Sequence, residues 1–178
     1  MQSKFIWLVV LGLLLAASCF AAENGRGDVF GSVGIYHSQG KSQLMAGGGG
    51  SLLFASGKLA AFGELEQFGE RLGRFAGGGL RVYIPLTGHF WCHGTLNRVK
   101  PFVPVAGGYA NLLAQLSAGE YYGASWYGAT GAGVEIGSKR FGVRPEFRYM
   151  RVQYAGVGRE PGRGTNNTTI GISFYFGF

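Results

Sequence analysis

The chain has 178 residues, enough for one domain, with 34 glycines, 15% aromatic residues and only 14% charged residues. That composition argues against a helical protein, because glycine disfavours helices while aromatic and β-branched side chains favour strands, and it is too apolar for a disordered chain. The net charge of +7 comes from basic residues scattered singly among apolar stretches, so no nucleic-acid partner is expected.

Residues 1–22 read as a secretory signal peptide. Lys4 supplies the positive start, and Phe5 to Ala17 is an apolar run too short to span a bilayer comfortably. Cys19 and Ala21 are the small residues a signal peptidase would read, with cleavage expected after Ala21 or Ala22. Two rival readings are a retained anchor and a lipoprotein box, Ala16-Ala17-Ser18-Cys19, with Cys19 lipidated. In residues 23–178 there are 15 Lys and Arg against 9 acids, and Cys92 is the only cysteine, so the fold cannot depend on an internal disulfide.

Eight segments with strand alternation follow, at 28–37, 43–55, 59–69, 75–86, 100–112, 122–137, 141–154 and 167–178. In the first, Val29, Gly31, Val33 and Ile35 oppose Ser32, Gly34 and Tyr36. In the third, Ala61, Gly63 and Leu65 oppose Phe62, Glu64 and Glu66, and in the fourth, Leu80, Val82 and Ile84 oppose Gly79, Arg81 and Tyr83. The sixth sets Ala132, Val134 and Ile136 against Gly131, Gly133 and Glu135. The seventh sets Val143, Pro145, Phe147 and Tyr149 against Arg144, Glu146 and Arg148. The facing of the fifth stays open. The eighth carries Ile170, Ile172, Phe174, Phe176 and Phe178 on one face, and Thr169, Gly171, Ser173, Tyr175 and Gly177 on the other.

Glu64, Glu66, Arg81, Glu135, Glu146 and Arg148 all lie opposite the apolar residues of their own strands. Two architectures share that pattern. A membrane barrel turns the charges into its lumen and the apolar face to lipid. A soluble lipocalin-like barrel does the reverse and would bind an apolar ligand. Three features favour the membrane: strands of about 10–14 residues, short turns after the second and sixth strands with longer connections at 113–121 and 155–166, and the aromatic last strand, whose edge a closed barrel would seal. The stretch 87–99 departs from this pattern, being long where a short turn is expected.

The segments Pro101-Phe102-Val103, Ala106-Gly107-Gly108-Tyr109, Gly131-Ala132-Gly133-Val134-Glu135, Arg144-Pro145-Glu146-Phe147-Arg148-Tyr149 and Phe174-Tyr175-Phe176-Gly177-Phe178 carry a family likeness. The chain resembles the small eight-stranded outer-membrane barrels of the OmpA, OmpX and opacity-protein kind over residues 23–178. The resemblance implies an all-β, eight-stranded antiparallel up-and-down transmembrane barrel in a Gram-negative outer membrane. It implies contact with outer-membrane lipid and lipopolysaccharide, and recognition by the barrel-assembly machinery through the membrane-insertion strand Ile170, Ile172, Phe174, Phe176 and Phe178. A monomer is expected. No peptidoglycan-binding domain is read after the barrel, so tethering to the cell wall is not expected.

The lumen residues Glu64, Glu66, Arg81, Glu135, Glu146 and Arg148 are the best candidate site. They would form either a polar path for small solutes or a network of buried ion pairs in a filled bore, since eight strands enclose only enough room for side chains. His89, Cys92 and His93 make the one metal-like cluster, but a structural zinc site takes four ligands, so no metal and no cofactor are expected. The alternative there is an interfacial segment anchored by Phe90 and Trp91. Arg26-Gly27-Asp28 spells an integrin-type tripeptide and is read as chance. Glycines 47–50 lack the lysine of a phosphate loop. No pair is placed for nucleophilic catalysis. The expected role is therefore structural, adhesive or porin-like without catalysis, with the loops near 38–42, 69–74, 113–121 and 155–166 carrying recognition. The alternatives are the soluble binder and a lipid-modifying barrel enzyme that would use His37 or His89.

Overall fold

The computed structural model describes residues 26–54, 57–68, 73–85, 98–116, 119–154 and 164–178. Eight strands follow in chain order: β1 (Arg26–Ser38), β2 (Lys41–Phe54), β3 (Leu59–Phe68), β4 (Gly73–Tyr83), β5 (Arg98–Leu116), β6 (Gly119–Gly137), β7 (Phe141–Tyr154) and β8 (Gly164–Gly177). Each pairs antiparallel with its neighbours in sequence, and β1 pairs with β8, so the sheet closes on itself. Closure leaves no open edge along the paired wall, which is the condition for strands to cross hydrocarbon.

The start of β1, the end of β8 and the strand ends that flank the β2–β3, β4–β5 and β6–β7 connections share one end of the barrel, here the lower end. There Ser138 closes the β6–β7 turn, its Oγ accepting from Arg140 N and Phe141 N at 3.2 and 3.1 Å. At the upper end β1 and β2 are joined by only Gln39 and Gly40, at φ 49° and 76°. Two successive positive φ angles are those of the hairpin turn that matches strand twist, and glycine adopts the second without steric cost. The loop expected at 38–42 is thus a two-residue turn.

The expected loop at 113–121 is also overturned. From the pair Val105 and Thr130 the β5–β6 ladder runs unbroken to the pair Leu116 and Gly119. Among the described residues β4 pairs with β5 up to Leu112, and β7 with β6 up to Ser125. The β5–β6 ladder extends past the Leu112 pair by four residues of β5, or about 13 Å. At the last connection β8 begins at Gly164, three residues before the expected 167. The signal peptide and Cys19, the segment 87–97 with His89, Phe90, Trp91, Cys92 and His93, and the loops 69–72 and 155–163 lie outside the described residues.

The side chains settle which face is which. Leu44, Trp126, Phe141 and Ile170 are 78%, 72%, 68% and 63% exposed, whereas Arg81 and Arg144 are 0% and 1% exposed. Ile170, Phe174, Phe176 and Phe178 all face out, and Thr169, Ser173 and Tyr175 face in. A soluble barrel with an apolar binding cavity needs the opposite facing. On β5, where the sequence left the facing open, Phe102, Pro104, Ala106 and Ala110 point inward and Val105 and Tyr109 outward.

Candidate functional site

The bore is filled by side chains in layers. Nearest the lower end, Arg144 of β7 binds Asp28 of β1 through both carboxylate oxygens, at 2.9 and 2.6 Å. Its Nε donates to Glu135 of β6 at 2.9 Å. Ser51 donates to Asp28 at 2.7 Å, and Tyr83 donates to Glu135 at 2.8 Å. Lys100, partly exposed, approaches Glu135 at 3.9 Å. Arg144 also lies 4.0 Å over the Tyr175 ring. Five strands besides β7 and β8 are thus tied to one guanidinium or its partners. A fork of five fixed donors suits this, because it meets one carboxylate in bidentate fashion and still reaches a second.

Further up, Arg148 of β7 pairs with Glu64 of β3, Nη2 donating at 2.9 Å, and its Nε donates to Glu146. β3 and β7 are four strands apart in a ring of eight, so this pair spans the bore from wall to wall. Glu66 shares with Glu146, Arg148 and Ser32 the lining of a cavity of about 20 Å³, room for roughly one water.

Arg81 lies among the rings of Phe62, Phe30 and Phe102, its guanidinium carbon 4.3, 5.0 and 5.9 Å from their centroids. None of its three side-chain nitrogens has a hydrogen-bond acceptor among the described residues. It is held by the faces of aromatic rings, an attraction that strengthens when water is excluded.

Nearest the upper end the bore is lined by packed rings. Tyr36 and Phe68 lie 4.5 Å apart, Phe68 and Phe75 4.4 Å, and Phe75 and Tyr127 5.0 Å, centroid to centroid. Met45, Met150 and Val152 pack with them. Tyr127 fits only because residue 77 is glycine: a Cβ there would collide with its hydroxyl and lie 2.8 Å from the Gly107 carbonyl oxygen.

All six charged residues singled out in the sequence line the bore, in separate groups. Glu135 belongs to one built on Arg144, and Glu146 to one built on Arg148. Arg148 also reaches Glu64 on the opposite wall. Arg81 joins no ion pair among the described residues. Two principal members were missed. Asp28 was taken as the end of a chance tripeptide, yet it is 3% exposed and bound by Arg144. Its parity with Ser32 and Tyr36 was the available signal. Arg144 shares the parity of Glu146 and Arg148 and was left out of the network.

The charges are also sorted by sign. All five side-chain carboxylates that are described, Asp28, Glu64, Glu66, Glu135 and Glu146, are buried in the bore. The exposed described charges are all basic: Arg26, Lys41, Lys58, Arg74, Lys139, Arg140 and Arg151. Buried charge is tolerated where it is paired and hydrogen-bonded, and a basic exterior suits contact with anionic surfaces.

No protein-family model matches the chain, and no curated protein matches it in sequence. Solved structures do match in shape. Neisserial surface protein A is 9% identical, with a TM-score of 0.58 over 85% of this chain and 96% of that one. The N-terminal β-barrel domain of Pseudomonas aeruginosa OprF is 12% identical, with a TM-score of 0.55 over 86% of this chain and all of that one. The closed antiparallel ring, the inward charges and these two likenesses agree: the chain has the fold of the small eight-stranded outer-membrane barrels.

Proposed function

We propose that the chain is an integral outer-membrane barrel, monomeric and without catalysis, that serves as a closed structural scaffold presenting its upper end to partners. The observation that carries this reading is the inversion of the barrel: ion pairs within, an apolar wall without. An apolar exterior of this extent is unfavourable in water and favourable in hydrocarbon. The leader at residues 1–22 would deliver the chain across the inner membrane. The outward residues Ile170, Ile172, Phe174, Phe176 and Phe178 would be the strand read by the barrel-assembly machinery. Of the three roles expected, the filled bore supports the structural and adhesive ones over a porin. Arg148–Glu64 crosses it, and the rings of Tyr36, Phe68, Phe75 and Tyr127 pack together above it. The β5–β6 hairpin, whose ladder extends past the described pairs of β4 and β7, is the natural contact element for adhesion.

Fractionation and planar-bilayer recording test this together. The protein is expected in the detergent-requiring membrane fraction, resistant to protease after insertion into vesicles, and without single-channel conductance. Recovery as a soluble protein without detergent would overturn the membrane placement. Steady conductance from the inserted wild type would overturn the closed bore.

A further inference from the structure

We infer that the outer wall of β7 and β8 carries a binding site for the phosphate of an anionic lipid head group, centred on Arg151. The inference rests on the membrane-spanning reading and adds to it a specific lipid contact.

Cross-strand registers locate the edge of the apolar wall on this side. Phe147, Ile170, Ile35 and Leu44 stand in register on β7, β8, β1 and β2, all outward and apolar. Two residues higher, the corresponding row is Tyr149, Thr168, His37 and Ser42. His37 Nδ1 and Ser42 Oγ lie in hydrogen-bond contact at 3.0 Å. Above Tyr149, Arg151 faces Asn166 across the ladder. From Phe141, the lowest outward residue of β7, to Arg151 is about 33 Å along the strand, or about 25 Å along the axis of a barrel with strands tilted 40°. That is the height of a hydrocarbon band, so the guanidinium lies at head-group level.

The surroundings of Arg151 suit a phosphate. It is exposed, and no carboxylate pairs with it among the described residues. Its side chain leans toward β8, where a Cβ built on Gly164 would lie 3.3 Å from Nε and Nη2 and 3.0 Å from the Gln153 side-chain oxygen. On the other side Gly128 is its register partner, and a Cβ there would meet nothing within 4 Å. The fork is thus flanked by an open gap on β6 and an amide on β7. Trp126, facing Gln153 across the ladder, stands beside this gap and packs edge-on against Tyr109, with centroids 6.2 Å apart. An indole and a phenol at this height are the usual anchors at a head-group boundary. A guanidinium there offers two parallel donors to a phosphate. Among the described residues, the acidic side chains that would compete for it are turned into the bore.

Trp126 is a built-in reporter. In the chain from residue 23 carrying Trp91→Phe, it is the one indole left. The protein is inserted into neutral phosphatidylcholine vesicles, and protease resistance is scored first; failure to insert would refute the spanning reading itself. A low fraction of brominated lipid is then added, either anionic phosphatidic acid or neutral phosphatidylcholine. Stronger quenching of Trp126 by the anionic lipid is expected. Arg151→Gln should cut that preference about five-fold, the worth of one cation at an anionic surface, while Arg74→Gln, on β4, leaves it unchanged. Equal quenching by the two lipids, or a preference that survives Arg151→Gln, would overturn the site. Loss of the preference on adding inorganic phosphate would mark a site for free anion and would overturn the lipid assignment.

Discussion

Arg144→Met is the most informative perturbation of the bore. The arginine is 1% exposed and makes three charge-assisted hydrogen bonds, two to Asp28 and one to Glu135. Methionine fills much of the same volume but leaves two buried carboxylates facing each other. Asp28 would keep the Ser51 hydroxyl, and Glu135 would keep the Tyr83 hydroxyl and the 3.9 Å approach of Lys100. Removing one side of a buried pair costs about 3–5 kcal/mol, mostly from the charge left behind. The assay is equilibrium unfolding by urea of the protein inserted in vesicles, followed by tryptophan fluorescence. The expected loss is about 3–5 kcal/mol for Arg144→Met, with most of it restored in the triple variant Asp28→Asn, Glu135→Gln, Arg144→Met. A loss below about 1 kcal/mol, the worth of an exposed pair, would mean that water reaches this layer and that the bore is not dry.

Two further outcomes follow from the facing and packing of side chains. With Cys92 replaced by serine, thiol reagents dissolved in the bilayer should label Ile172→Cys, Phe174→Cys and Phe176→Cys and miss Gly171→Cys and Ser173→Cys; the reverse pattern would turn the barrel inside out. Gly77→Ala should lose about 1–3 kcal/mol in the same urea assay, because the new methyl meets the Tyr127 ring and the Gly107 carbonyl. Tyr127→Phe alone should be close to neutral, since that hydroxyl has no hydrogen-bond partner among the described residues.

The fold was legible wherever the two faces of a strand differ in polarity. On β3, β4, β7 and β8 a charged or hydroxylated parity set against an apolar one gives both the strand and its facing. β5 was opaque because the bore beside it is lined by Phe102, Ala106 and Ala110, so apolar residues point both ways and alternation carries no contrast. The β5–β6 hairpin tip was misread for a related reason. The stretch from Leu113 to Tyr121 shows no clean alternation of apolar and polar residues, so it reads as a loop. Residues lining the bore could be recognised from parity alone, but their partners could not. That Arg148 meets Glu64 depends on how the ring closes and on strand stagger, which bring β3 opposite β7.

The aromatic sleeve around Arg81 bears on how the ring comes together. Its three rings arrive on β1, β3 and β5, and the first of these is three strands away from the arginine on β4. A half-built sheet would leave the cation in water, because the Phe30 wall of its berth is still elsewhere. Losing that hydration shell and sealing the β1–β8 seam are thus one event, and a chain stalled before the seam forms would betray itself by a wet guanidinium.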